Sequence, residues 1–176
     1  VFLATGFEHL DLDGDARYGA TLPDVVTGME MERLMELGGG RPSDAALPDR
    51  VVFSLCSGSR SGRGSQAGGV PYCSKTCCAT TVKQAELVIS ANPMCEVVIL
   101  YNDDIRTYER ALESFYVRVK AMGAELVCGR LEGAKPGEDG GARLQVALGD
   151  GPEPDLEEVE ITDGTMTMDA DLVVLA

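Results

Sequence analysis

Between residues 50 and 131 three short apolar runs alternate with two helix-length patterns, and that alternation restricts the chain to a layered α/β fold. "RVVFSLC" (50–56), "CEVVILY" (95–101) and "AELVCGRL" (124–131) are rich in Val, Ile and Leu, as strands buried on both faces are. Between the first two, "SKTCCATTVKQAELVISA" (74–91) spaces Val82, Ala85, Leu87 and Ile89 as a partly buried helix does, with Ser74 as candidate N-cap. "TYERALESFYVRVKAMG" (107–123) reads as an amphipathic helix closed by Gly123. Strand, helix, strand in this order calls for parallel strands joined by right-handed crossovers.

The flanks extend the pattern. "VFLATG" (1–6) and "DADLVVLA" (169–176) both read as buried strands. The Gly-, Asp- and Pro-rich stretch between the first of them and residue 26 reads as a surface loop. "TGMEMERLMELGGG" (27–40) sets Thr27 and Glu30 at capping-box spacing and ends in three glycines, which predicts a short helix. After residue 141, "ARLQVALGD" and "EEVEITDGTMTM" alternate without a helix pattern, which predicts a small antiparallel hairpin or meander. The expected division is a linking segment over 1–49 and a nucleotide-binding-like domain over 50–176. The opening residues, with no Met and no leader pattern, read as cut from a longer chain.

Composition narrows the class. At 176 residues the chain suits one domain, which buries about 70% of its unfolded surface. No apolar run approaches the ~20 residues of a membrane span. With 15 basic against 29 acidic residues, a formal charge of -14, a nucleic-acid phosphate partner is disfavoured. A single histidine, His9, and no Ser/His/acid set leave hydrolase chemistry without support.

The strand order resembles the nicotinamide-nucleotide domain of two-dinucleotide-domain flavoprotein reductases of the thioredoxin and glutathione reductase type. The resemblance implies a Rossmann-like insert in α/β architecture, entered through an "ATG" strand and left through a similar one. Such a domain needs G-x-G-x-x-G between its first strand and helix, so that backbone can meet a pyrophosphate. Here "GRGSQAG" (62–68) has the wrong spacing and lies too far from the helix, and cysteines occupy the turn instead.

Cys73, Cys77 and Cys78 fall within six positions, and Cys56 ends the preceding strand. The turn, the first helical turn and the strand end can bring four thiolates together near the positive end of a helix dipole. Four sulfurs suit zinc or an iron-sulfur cluster. Structural zinc favours two separated C-x2-C knuckles, which adjacent Cys77 and Cys78 do not form, so the spacing favours 4Fe-4S. A disulfide within this turn would be strained. A redox dithiol of a pyridine-nucleotide-dependent flavoprotein reductase would show C-x-x-C or C-x4-C, and neither occurs; a structural zinc domain is the other alternative. Cys95 and Cys128 read as small buried hydrophobes.

"CSGSR", "PYCSKTCC", "KQA", "DIR", "ESFY" and "GR" are similar in order and approximate spacing to the A-type flavin subunit of heterodisulfide reductase and its relatives in quinone-interacting complexes. "VFLATGF", "RPSD" and "DLVVLA" extend the likeness over nearly the whole chain, and "SGRGSQAGG" looks like a short insertion. The resemblance implies an FAD- and iron-sulfur-dependent oxidoreductase subunit of the cytoplasm, relaying electrons to iron-sulfur partner subunits in a hetero-oligomer. It also implies that Cys56, Cys73, Cys77 and Cys78 ligate a 4Fe-4S cluster. Thr5 and Gly6 would lie against FAD, and Lys83 would face the isoalloxazine ring as the catalytic position, tuning the flavin. Arg60 would either donate to the cluster or pair with an acidic residue such as Asp104.

Overall fold

The computed structural model describes residues 1–6, 12, 17–60, 69–107, 110–138 and 140–176, with the side chains of 110 and 111 excepted. His9 and the glycine-rich "GRGSQAG" lie outside the described residues.

The elements in chain order are β1 (Val25–Thr27), α1 (Gly28–Glu36), β2 (Arg50–Ser54), α2 (Cys77–Ala91), β3 (Glu96–Tyr101), α3 (Arg110–Ala121), β4 (Glu125–Pro136), β5 (Ala142–Leu148), β6 (Val159–Thr162), β7 (Thr165–Ala170) and β8 (Leu172–Leu175). They form one mixed sheet in the order β1-β8-β2-β3-β4-β5-β7-β6. β1, β8, β2, β3 and the start of β4 run parallel. From Gly129 onward β4 pairs antiparallel with β5, through a bulge between Leu131 and Gly133. A bulge adds local twist and bends its strand, so β4 passes from the parallel part of the sheet into the antiparallel part.

The side-chain period of two explains why these strands had to be apolar throughout. Val51, Phe53, Val97, Ile99, Leu172 and Val174 point to one core, shared with Met31 of α1, Val82, Ala85 and Val88 of α2 and Val119 of α3. Their neighbours Val52, Val98, Leu100, Val173 and Leu175 point to a second core, closed by Leu144, Val146, Met166 and Met168 of the antiparallel part. Helices cover one face of the parallel strands and β-structure the other, giving three layers. Strands buried on both sides have no polar face to expose.

Local chemistry sets the element ends. Thr27 and Glu30 form the capping box: Glu30 N–H donates to Thr27 Oγ1 at 3.3 Å and Thr27 N–H to Glu30 Oε2 at 2.7 Å. Gly123, at φ +100°, follows α3. Asp163 and Gly164, at φ +50° and +75°, turn β6 into β7, the paired left-handed geometry of a tight Asp-Gly hairpin.

Three sequence expectations are corrected. Residues 1–6 form no strand and are exposed, Phe2 fully so; a strand needs a ladder partner for its backbone, and no described strand lies beside them. The stretch before residue 26 is not only loop: β1 begins at Val25 and pairs with β8, Val25 opposite Val173 and Val26 opposite Val174. Ser74 is not the N-cap of α2; Thr76 holds that place, and the Ser74 hydroxyl instead accepts from the N–H groups of Thr76 and Cys77. Both β1 and α1 fall within 1–49; β1 joins the same sheet as the remainder, and Met31 of α1 packs into its helix-side core.

Candidate metal centre

The site is built where β2 ends and α2 begins. Beyond β2 the chain is held in register from three sides: Leu55 N–H donates to Leu100 O, Ser57 N–H to Ala176 O, and Gly58 N–H to the hydroxyl of buried Tyr18. Cys56 and Arg60 take left-handed backbone conformations, at φ +61° and +54°. Non-glycine residues rarely adopt that region, and its cost of about 1–3 kcal/mol is tolerated where surrounding bonds fix the geometry. The segment leading into α2 is stitched to this turn by Val70 N–H donating to Gly58 O at 2.9 Å and Arg60 N–H to Tyr72 O at 3.3 Å. Two segments remote in sequence thus become one cradle.

Within it the thiols of Cys56, Cys77 and Cys78 are hydrogen-bonded to one another in a chain with Cys77 at its centre. Cys77 and Cys78 open α2, where free backbone N–H groups and the helix dipole favour negative charge. The acidity divides accordingly. Hydrogen bonds from Cys56 and then Cys78 hold the Cys77 thiol well below its ordinary value, against the opposing effect of burial. Cys56 and Cys78 are pushed up, first by their bond to Cys77 and then by burial.

Cys73 stands on the adjoining turn. Its sulfur accepts the Lys75 N–H at 3.3 Å, with Lys75 at φ +65°. Among the described residues no group of three or more His, Cys, Asp or Glu side chains is drawn close enough to hold a metal ion as it stands. Cys56, Cys77 and Cys78 thus act on one another within the cradle without forming a ligand set, and Cys73 is engaged within its own turn, four residues before Cys77. The donor chemistry fits a soft metal centre: thiolates at a helix N-terminus, with backbone N–H groups directed at sulfur. All six cysteines are free.

Arg60 pairs with Asp104, as one of its two expected roles has it, and also reaches Cys56. Its Nη1 lies 4.0 Å from Cys56 Sγ and 3.0 Å from Asp104 Oδ1, and its Nη2 pairs with Asp103. Burial works against the charge, yet Asp103 and then Cys56 raise the guanidinium's affinity for its proton. A largely buried arginine with two carboxylates behind it keeps a fixed positive charge on the cysteine cradle. From the same loop, Arg106 N–H donates to the Cys78 sulfur.

The remaining expected residues lie apart from the sulfurs. Lys83 is half-exposed on α2 and pairs with Glu32 of α1 at 2.9 Å; that bond, chiefly, lowers the Glu32 pKa. Thr5 and Gly6 are exposed, with Gly6 at φ +73°. Cys95 is buried and its thiol is pushed up to about 11 by desolvation. Cys128 is buried and donates to Asn102 O. Sequence reading misses Tyr18 and Ser57, which position the Cys56 turn; neither has a local pattern that marks it.

No helix among the described residues is long and apolar enough to cross a membrane. No family model matches the chain. Curated relatives do. The chain is 32% identical over 188 aligned positions to the A subunit of the H(2)/formate:CoB-CoM heterodisulfide,ferredoxin reductase of Methanococcus maripaludis, covering 100% of this chain and 26% of the relative. It is 33% identical over 147 residues to the A subunit of the ferredoxin/F(420)H(2)-dependent CoB-CoM heterodisulfide reductase of Methanosarcina acetivorans, covering 80% of this chain and 18% of the relative. Against the iron-sulfur A subunit of the CoB--CoM heterodisulfide reductase of Methanocaldococcus jannaschii it is 35% identical over 138 residues, covering 74% and 20%. The chain thus spans about a fifth to a quarter of the length of these relatives.

Proposed function

We propose, from the premise that this chain belongs to the A-subunit family of heterodisulfide reductases over the segment it spans, that it is the cluster-holding part of an oxidoreductase subunit. Cys56, Cys73, Cys77 and Cys78 ligate one 4Fe-4S cluster beside an FAD, and the protein relays electrons to iron-sulfur partner subunits in a cytoplasmic complex. One observation carries the reading: Cys56 meets Cys77 and Cys78 where a parallel strand ends and a helix begins, at the place where a dinucleotide-binding domain keeps its glycine loop. The relatives' names support it, since one of them is an iron-sulfur subunit and all are reductase subunits.

The chain's own groups do the following. Each of the four sulfurs has a donor already directed at it: Lys75 N–H for Cys73, Cys78 N–H for Cys77, Arg106 N–H for Cys78 and the Arg60 guanidinium for Cys56. Such bonds stabilise thiolate and, through it, set how readily a ligated centre accepts charge. A bound cluster supplies one-electron steps, and a bound flavin the two-electron chemistry they divide. To complete the set, the turn that carries Cys73 and its Lys75 N–H donor moves toward the other three sulfurs. Thr5, Gly6 and Lys83 are assigned to the flavin, and for that role Lys83 must leave Glu32. The Rossmann-like insert of a two-dinucleotide-domain flavoprotein, with 1–49 as the segment linking it to the flavin domain, is the architecture that fits this reading.

The test is iron and acid-labile sulfide per chain in the full-length protein after anaerobic reconstitution, with EPR of the dithionite-reduced sample. A longer chain has room for further clusters, so the measurement is a difference between wild type and Cys78→Ser. The expected result is a loss of about four irons and four sulfides and of one reduced-cluster signal in the variant. Equal iron in both, or stoichiometric zinc released by the variant alone, would replace the electron-transfer reading with a structural zinc site.

A further inference from the structure

Two of the cradle's sulfurs take their donors from arginines on different loops. Arg60, on the turn after β2, reaches Cys56 Sγ with Nη1, and the N–H of Arg106, on the loop after β3, donates to the Cys78 sulfur. One carboxylate joins the two loops. Asp104 Oδ1 accepts from Arg60 Nη1 at 3.0 Å and from Arg106 Nε at 2.9 Å, and Oδ2 lies 2.9 Å from the same Nε. Asp103 pairs with Arg60 at Nη2 and accepts the Asp104 N–H at 3.0 Å.

The two arginines act differently. Arg60 offers its guanidinium to sulfur. Arg106 turns its guanidinium back onto Asp104, two residues earlier, and that clasp fixes the direction of its backbone N–H. Ile105, between them, packs against the helix-side core. A carboxylate has about four lone-pair sites, enough for both arginines, and its bonds to guanidinium groups are charge-assisted. The arginine side chains are only 13% and 25% exposed, whereas Asp104 is 47% exposed. The guanidinium groups therefore depend on a fixed protein partner, while the charge of Asp104 is itself screened by water.

We propose that Asp104 is a positioning residue for the cluster: it holds the Arg60 guanidinium on Cys56 and, by clasping the Arg106 side chain, the Arg106 N–H on Cys78. One carboxylate thus sets the hydrogen bonds on two ligands at once. The inference rests on the cluster reading. Its sign separates it from a plain charge effect. A negative charge near a cluster opposes the arrival of an electron, so its removal alone would raise the midpoint potential. Loosening two donors that stabilise electron-rich thiolates would lower it.

The test is a redox titration, followed by EPR, of the reconstituted full-length protein, read on the signal that Cys78→Ser abolishes. Asp104→Ala is expected to titrate below wild type with iron per chain unchanged. Asp104→Asn, which lacks the charge but keeps one acceptor oxygen, should fall by less, and Asp104→Glu should restore most of the potential. Combined with Arg60→Ala, Asp104→Ala should lower the potential further, but by less than the sum of the two single effects, since Asp104 acts in part through Arg60. A raised or unchanged potential in Asp104→Ala, or strict additivity with Arg60→Ala, overturns the proposal. If Asp104→Ala takes up no iron, the sign in Asp104→Asn decides in its place. Failure of the cluster reading is seen separately, as equal iron and identical signals in wild type and Cys78→Ser.

Discussion

Cys77 is the residue on which the chemistry turns. Its sulfur takes hydrogen bonds from Cys56 and Cys78 and sits on the first turn of α2, so its pKa is lowered while those of its partners rise. The sign fixes a pH dependence for the metal-free protein. Ordinary thiols, near 8.5, are almost wholly protonated at pH about 6, but Cys77 remains thiolate there. Iodoacetamide at that pH is expected to label Cys77 ahead of Cys56, Cys78 and Cys95 in peptide mass spectra; uniform labelling, or Cys95 first, would contradict the assigned acidity. Arg60 offers a second prediction. With Asp103 and Asp104 behind it and Cys56 before it, it places positive charge on the centre, and Arg60→Ala should lower the midpoint potential of the reconstituted cluster while Arg60→Lys largely restores it. An unchanged potential in Arg60→Ala would make Arg60 a structural brace only. At this scale the sequence is readable where chemistry repeats itself, as in the crowded cysteines, and unreadable where fold alone creates the role. Nothing in "KQA" announces that Gln84 will be fully buried with its amide oxygen unpaired among the described residues.

Among the elements, legibility follows pairing. β2, β3, β8 and the start of β4 can be read because strands buried on both faces are apolar along their central positions, and the helix from Thr27 because its capping box satisfies two backbone donors. β1 and residues 1–6 read the wrong way round for one reason. "VVT" is three residues in an Asp- and Pro-rich stretch and becomes a strand through β8, whereas "VFLATG" has strand composition and no described partner. Composition proposes a strand, and a ladder makes one. The β4–β5 connection gives this scale its prediction. Gly141, at φ +64°, would carry a Cβ 2.3 Å from Ala170 O, while neighbouring Gly140, at φ +94°, has nothing within 4 Å. Gly140→Ala should cost only backbone strain, about 1–2 kcal/mol, and Gly141→Ala that strain plus displacement of β7, about a further 1–3 kcal/mol. Urea midpoints measure both, and equal losses would mean that the hairpin yields without disturbing the sheet.

For the whole molecule, three layers serve one end of the sheet. The helix-side core holds α2 against β2 and β3, the antiparallel part seals the opposite face, and the carboxyl ends of the parallel strands present the cysteine cradle. Cys56 follows the end of β2 and Cys77 opens α2, so the turn between a parallel strand and the next helix presents sulfur. The central claim is that all four cysteines, including the one now bonded within its own turn, close on a single iron-sulfur centre. The most direct measurement is an anomalous difference map of the full-length protein from data at the iron edge. The account predicts one iron-rich peak bounded by the sulfurs of Cys56, Cys73, Cys77 and Cys78. A peak seen only at the zinc edge, or iron density elsewhere with these four sulfurs unligated, would contradict it.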